Sequence, residues 1–267
     1  MGPDPSSKAP TQSVDSISSP TAPNLVVVDI GNTRIKWGRC ENGNVAEVAA
    51  VPPDEYKAWS RQWDAWGLTP AIPFCLAGVH PARRETLAKW LRDRCSPVKL
   101  LSSYRDLPIN VALPIPAGVG IDRLLDAVAA NARKRPHAFA IIVDAGSAVT
   151  VDVVDAQGAF RGGVIFPGFG LMAKSLHDFT ALLPIVSPDP NAKPPGESTV
   201  PAIQAGIMSA IVGGVQNAIA KYESKFGSPC DLFITGGDGA IIAANLHQPA
   251  YLWPEMTLEG VRISGGG

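Results

Sequence analysis

Apolar residues along this chain fall into short runs of strand length, broken by Gly, Asn and Pro and interleaved with stretches of helical spacing. Leu25 to Ile30, Arg34 to Arg39 and Val45 to Val51 predict three consecutive strands, with Gly31-Asn32 and Asn42-Gly43 supplying turn residues between them. Ile72 to Ala77 predicts a fourth strand ending at Gly78, Ala82 to Asp93 an amphipathic helix, and Val98 to Leu101 a short strand. The stretch from Leu107 to Gly120 holds too much Pro and Gly for a helix. From Asp122 to Lys134 the spacing of Leu124, Leu125, Val128 and Ala129 is again helical.

The pattern then restarts. Ala138 to Val143, Val149 to Val154 and Phe160 to Phe166 predict three more strands, and Phe169 to Leu182 a helix. Five prolines between Leu183 and Gly196 mark a loop. Thr199 to Phe226 predicts a long helix, very apolar from Ala205 to Val215, and Asp231 to Thr235 a strand closed by Gly236-Gly237. Residues 26–48 (VVVDIGNTRIKWGRCENGNVAEV) and 141–163 (IIVDAGSAVTVDVVDAQGAFRGG) share one order: apolar strand, Asp-x-Gly turn, strand, Asn-Gly or Gln-Gly turn, strand. Asp29 and Asp144 occupy the same slot of two copies. Two such units imply two mixed sheets flanked by helices, with both Gly turns and both carboxylates available to grip a nucleotide across a cleft.

That reading divides the chain into an extension (1–23), two domains (24–136 and 137–262) and a flexible tail (263–267). The extension is rich in Pro, Ser and Thr and lacks the apolar core of a secretory signal. Charged residues make up 18% of the chain, apolar ones 46%, and the formal net charge is -1. Such a balance suits a soluble globular protein and gives no basic surface for nucleic acid or an anionic membrane. No apolar run approaches the roughly 20 residues of a membrane span. Cys40, Cys75, Cys95 and Cys230 never form C-x-x-C, and His80, His137, His177 and His247 lack metal-ligand spacing.

In Asp29-Ile30-Gly31-Asn32-Thr33-Arg34-Ile35-Lys36 a strand end delivers a carboxylate and a Gly turn lets backbone N–H groups approach an anion. Such a loop can cradle phosphate while the carboxylate holds a hydrated cation. A plain polar hairpin is the alternative for one copy, and the recurrence argues against it. In the second copy, Asp144 ends a buried apolar run, where a carboxylate is costly without a cation or donors. Ser147 offers a hydroxyl to phosphate. Asp152 reads equally as a structural or a functional residue. Asp122 reads as a helix cap or as a general base, and Arg123 as a solvated residue or as a fork for a substrate carboxylate.

Taken in series, the segments D-x-G-N-T-x-x-K, G-x-D-R (Gly120-Ile121-Asp122-Arg123), D-x-G-S-A-x-T-x-D, G-G-x-I-x-P-G (from Gly162 to Gly168) and T-G-G-D (from Thr235 to Asp238) resemble the type III pantothenate kinases, over residues 25 to about 262. The resemblance implies two ribonuclease-H-like domains of the actin-like ATPase type, each with a five-stranded mixed sheet and with a cleft between them. It further implies a cytoplasmic homodimer that phosphorylates pantothenate with ATP and magnesium and depends on potassium or ammonium. Carried over by motif, residues 29–36 form the first phosphate loop, and Asp29 also serves magnesium, directly or through water. Asp144 holds the monovalent cation, and Ser147, Gly236 and Gly237 contact ATP. Gly120, Ile121, Asp122 and Arg123 hold pantothenate, with Asp122 as base. Thr199 completes that pocket from the dimer partner. Leu113 stands where many members carry Tyr, and Ser147 where many carry Thr.

Two other readings compete. Gly168-Phe169-Gly170-Leu171-Met172-Ala173 has the G-x-G-x-x-A form of a dinucleotide-binding turn, which would make the protein a dehydrogenase, but the acidic residue expected some 20 residues on falls in a Pro-rich loop. A member of the same fold could also bind ATP as a sensor, or phosphorylate another small alcohol, since cleft motifs specify ATP handling better than the acceptor.

Overall fold

The computed structural model describes residues 24–94, 96–227 and 230–266; the extension assigned to 1–23 lies outside them. The first half contributes β1 (Leu25–Ile30), β2 (Ile35–Glu41), β3 (Asn44–Val51), α1 (Tyr56–Ala65), β4 (Phe74–Gly78), α2 (Pro81–Arg92), β5 (Val98–Leu100), β6 (Asn110–Val111) and α3 (Ile121–Arg133). The second contributes β7 (Phe139–Ala145), β8 (Ala148–Val154), β9 (Ala159–Pro167), α4 (Phe169–Asp178), α5 (Thr199–Phe226), β10 (Cys230–Thr235), α6 (Gly239–Asn245), β11 (Tyr251–Leu252) and α7 (Met256–Gly265).

The repeat read from the sequence is a repeat of topology. One sheet runs β3-β2-β1-β4-β5 and the other β11-β10-β7-β8-β9-β6. In both, the first three strands pair antiparallel and the later ones add in parallel on the far side of the first. The second sheet has six strands rather than the expected five, because the chain leaving the first half lays Asn110 and Val111 parallel to Ala159 and Phe160 on the open β9 edge.

Burial sorts the elements into five layers. Trp37, Trp59, Trp66, Trp90 and Phe74 fill the outer face of the first sheet beneath α1 and α2. The outer face of the second lies under α4, α5 and α6, where Ile203, Ile207, Ile211 and Val215 of α5 recur at helical spacing toward Val143 and Val151. Between the sheets, α3 and α7 join Val27 and Cys75 of the first sheet to Ile142 and Phe233 of the second.

By length and composition α5 is able to cross a bilayer, contrary to the reading that no run approaches that length; half of its apolar window is buried here. At the other end of the chain, α7 takes in residues 263–265, which the sequence assigns to a tail. It packs in the same middle cluster as Val27, Cys40 and Cys75 of the first sheet, so packing does not follow a division at 136/137. Glu259 on α7 accepts from the Val45 N–H at 2.7 Å and from Arg262 Nε at 2.6 Å. Lys99 Nζ donates to the Ser264 carbonyl at 2.9 Å near the end of the helix.

Candidate active site

Asp29 is the penultimate residue of β1 and lies opposite Lys36 across the β1–β2 pair. Between them the Gly31 N–H donates to the Arg34 carbonyl at 3.1 Å, which tightens the turn and leaves Asn32, Thr33 and Arg34 exposed at its tip. Arg83 of α2 fixes that tip: its Nη1 donates to the Asn32 carbonyl at 2.5 Å and its Nη2 to Asp54 at 3.0 Å.

The second copy is built alike. Asp144 lies near the end of β7, Gly146 N–H donates to the Ala148 carbonyl at 2.9 Å, and Ser147 is exposed at the tip. Two further loops close on this turn, with Gly168 N–H donating to the Ser147 carbonyl at 3.0 Å and Asp238 N–H to the Ala145 carbonyl at 2.9 Å. Gly236 is required here: its φ is +90°, and a Cβ on it would meet the Asp144 carboxylate at 2.5 Å. Gly237 stands in open space. Thr235 lies beside Asp144 on β10, with its hydroxyl buried and without a hydrogen-bond partner.

The first turn of α3 lies between the two copies. Asp122 is inside the helix rather than before it, the capping position being Gly120. One oxygen of Asp122 accepts from the Arg123 N–H at 2.9 Å. One turn further, Asp126 is 2% exposed and its Oδ1 has no partner.

Electrostatics join these groups. Burial pushes the Asp29 carboxyl up to about 7; Lys36 opposes the shift, while Asp122 and Asp144 add to it. Burial and then Asp122 push Asp144 up to about 6, against the pull of Lys36. Asp126 is raised well above the usual carboxylate range by burial, with Asp144, Asp122 and Asp29 contributing. Each strand-end carboxylate therefore feels the helix carboxylates, and Asp29 feels Asp144 from across the layers. Such accumulated negative charge in a buried place calls for cations. Among the described residues no three His, Cys, Asp or Glu side chains are set to hold an ion alone, so a metal here would draw its other ligands from phosphate and water. Two Gly turns, two acidic strand ends and Lys36 fit a nucleotide triphosphate with its magnesium.

Three site residues behave otherwise than the sequence suggests. Arg123 does not leave its fork free, since Nε donates to Asp152 Oδ2 at 3.0 Å and Nη2 to Asp152 Oδ1. Thr199 is exposed at the start of α5, a helix on the opposite face of the second sheet from α3, and so is not brought to Asp122 within one chain. Asp126 was not singled out by the sequence, although its i, i+4 spacing from Asp122, within a stretch from Leu124 to Ala130 that is otherwise apolar, is a usable signal. The G-x-G-x-x-A turn fails as a dinucleotide site, because β9 is antiparallel to β8 and the chain after α4 enters no neighbouring parallel strand. A surface depression of about 610 Å³, lined by Arg135, Glu223, Asp231 and Tyr251 among others, lies at the opposite end of the second sheet from Asp144 and contains none of these groups.

The sequence model of the type III pantothenate kinases matches residues 25–221. A type III pantothenate kinase of Acidiphilium cryptum is 33% identical over 254 residues, covering 89% of this chain and 92% of its own. One of Paramagnetospirillum magneticum is 36% identical over 251 residues, covering 89% and 95%. Among solved structures, a Campylobacter jejuni protein described as a Baf family transcriptional activator superposes with a TM-score of 0.59 at 19% identity, covering 90% of this chain and 96% of its own. A Sinorhizobium meliloti protein described as a 2-dehydro-3-deoxygalactonokinase gives 0.58 at 14%, covering 90% and 98%. These structural likenesses speak for the fold, which is the duplicated ribonuclease-H-like architecture of actin-like and sugar-kinase ATPases. The sequence matches go further: this chain belongs to the type III pantothenate kinase family.

Proposed function

We propose that the protein transfers the γ-phosphoryl group of ATP to the primary hydroxyl of pantothenate, the opening step of coenzyme A synthesis. Beside family membership, the observation that carries this reading is that Asp29 and Asp144 end equivalent strands of the two sheets and that the charge of Asp122, on the first turn of α3, bears on both. Residues 29–36 and the turn at Ser147 hold the triphosphate from the two sides, with Gly236 and Gly237 leaving room for the nucleoside. Lys36, paired across from Asp29, offsets charge on the transferring group. Asp29 would hold magnesium, directly or through water, and the ion would supply positive charge against the phosphates.

Gly120 to Arg123 form the acceptor side. Asp122 orients the hydroxyl and takes its proton as the bond to phosphorus forms. In this chemistry positioning and charge do most of the work and the proton moves late. Asp144 would hold potassium or ammonium, a role that the buried Thr235 hydroxyl beside it supports by offering a neutral oxygen. We assign the reaction to the cytoplasm, a setting that suits the free cysteines Cys40, Cys75 and Cys230.

The working unit is a homodimer. Phe179 and Leu182, at 85% and 91% exposure, directly follow α4, and Leu171 on that helix, Ile185 in the loop after it and Val200 at the start of α5 are exposed as well. An apolar surface of that extent argues for a covering partner. A second copy of the chain would cover it and bring its own Thr199 toward the acceptor side.

A coupled ADP-release assay tests the function, with pantothenate set against a panel of other small alcohols in potassium, ammonium or sodium. Pantothenate-dependent release is expected in the first two ions. No release with pantothenate in any of them overturns the activity, and full activity in sodium alone overturns the monovalent-cation role.

A further inference from the structure

Asp152 has no role in the reading above, yet it is 1% exposed in the middle of β8. It lies opposite Ile142, on the sheet face that packs against α3. A carboxylate there is tolerable only if paired. Both its oxygens are taken by one partner, Arg123, through Nε at 3.0 Å and through Nη2. Burial works against the Arg123 charge, but the hydrogen bonds and charge of Asp152 outweigh it and raise the guanidinium pKa above its ordinary value. For Asp152, burial raises the carboxyl and Arg123 draws it only part of the way back, so it stays above its ordinary value. The two shifts pull apart, the one on Arg123 favouring a charged pair and the one on Asp152 a neutral carboxyl, and the two-armed contact decides for both members being charged.

The pair also accounts for a motif. Gly163 on β9 is the register partner of Asp152, and a Cβ on Gly163 would collide with Asp152 Oδ1 and the Val151 carbonyl. Only glycine leaves the carboxylate its place. Three separate sequence segments thus meet at one ion pair: G-I-D-R supplies Arg123, the segment from Asp144 supplies Asp152, and the G-G pair supplies the space. Phe160, its ring centroid 5.7 Å from the Arg123 guanidinium carbon, covers the pair from β9.

Arg123 directly follows Asp122, and its backbone N–H is bonded to the Asp122 carboxylate. Anchoring the guanidinium therefore anchors the first turn of α3 and the direction of Asp122. We infer that Asp152 is a positioning residue for the acceptor side of the site: by gripping Arg123 from β8 it sets the Asp122 carboxylate and the remaining Arg123 N–H edge toward the acceptor. This inference rests on the pantothenate kinase reading.

The test is steady-state kinetics with each substrate varied, alongside thermal melting. Asp152→Asn keeps the shape and loses the charge and one acceptor; it is expected to raise the pantothenate KM at least about tenfold, the worth of one charge-assisted contact, with the ATP KM within about twofold of wild type. Arg123→Ala should show the same split, and the double variant should be no worse than Arg123→Ala alone, because the pair acts as a unit. Equal damage to both substrates, or fully additive losses, overturns the inference. Should Asp152→Asn fail to fold, Arg123→Lys decides: one ammonium cannot bridge both carboxylate oxygens, so it should share the Arg123→Ala defect, and wild-type pantothenate KM in Arg123→Lys overturns the inference. Absence of pantothenate turnover by the wild type counts against the function itself, whereas a competent wild type with an unimpaired Asp152→Asn counts against Asp152 alone.

Discussion

At the scale of single residues the site is a set of carboxylates, Asp126 buried and Asp29, Asp122 and Asp144 half-buried, that water reaches only in part. Asp122 alone stands both at a helix N-terminus, where the dipole favours negative charge, and beside the acceptor segment. Asp122→Asn is expected to lower kcat by about 10²- to 10⁴-fold, the usual worth of a positioned base, with ATP affinity little changed by titration calorimetry. Retention of most activity would place the base elsewhere. Asp29 and Asp144 should also show in stability. Between the usual carboxylate value of 3.8 and about 7 for Asp29, or about 6 for Asp144, the native protein keeps protons that the unfolded chain has released. Stability from these groups is whole below that window and is lost as pH rises through it. Without nucleotide or divalent ions, the melting temperature should fall as pH rises from 3.8 to about 7, and Asp29→Asn should flatten the slope. An equally steep slope in the variant would deny Asp29 its raised pKa.

At the scale of elements, what the sequence showed depended on contrast. β1 and α5 were legible to the residue, because Leu25–Ile30 is apolar but for Asp29 and Thr199–Phe226 is a long, largely apolar stretch bounded by Pro-rich sequence and Gly227. α1 went unread although Trp59, Trp63 and Trp66 stand at helical spacing, since Pro52-Pro53 and Gly67 draw the eye to turns. α7 had little pattern to read: lying between two sheets, it buries every residue from Met256 to Val261, so the polar face that reveals a surface helix is missing. Most of the candidate site was visible through its repeat, but the Arg123–Asp152 contact was not, because it joins residues 29 positions apart through tertiary packing alone. The attachment of α7 makes its own prediction. Glu259→Ala strips a partner from the Val45 N–H and from Arg262 in a buried place, and should cost about 3 kcal/mol by urea unfolding. A loss within about 0.5 kcal/mol, the usual effect of a surface change, would show that Glu259 does not fasten the helix.

At the scale of the whole molecule, two lobes meet around α3, and one flank carries apolar side chains that a lone chain leaves in water. Phe179→Asp with Leu182→Asp should yield a monomer by light scattering and sharply weaken pantothenate turnover, since Thr199 of the second copy would no longer reach the acceptor. An active monomer would place the whole acceptor site within one chain. The seating of α7 constrains how such a protein can be altered. Residues 256–265 share with α3 the work of covering the inner face of the first sheet, so excising this one helix would expose Val27 and Cys75 to water and is expected to leave a protein in which neither lobe is a usable half-enzyme.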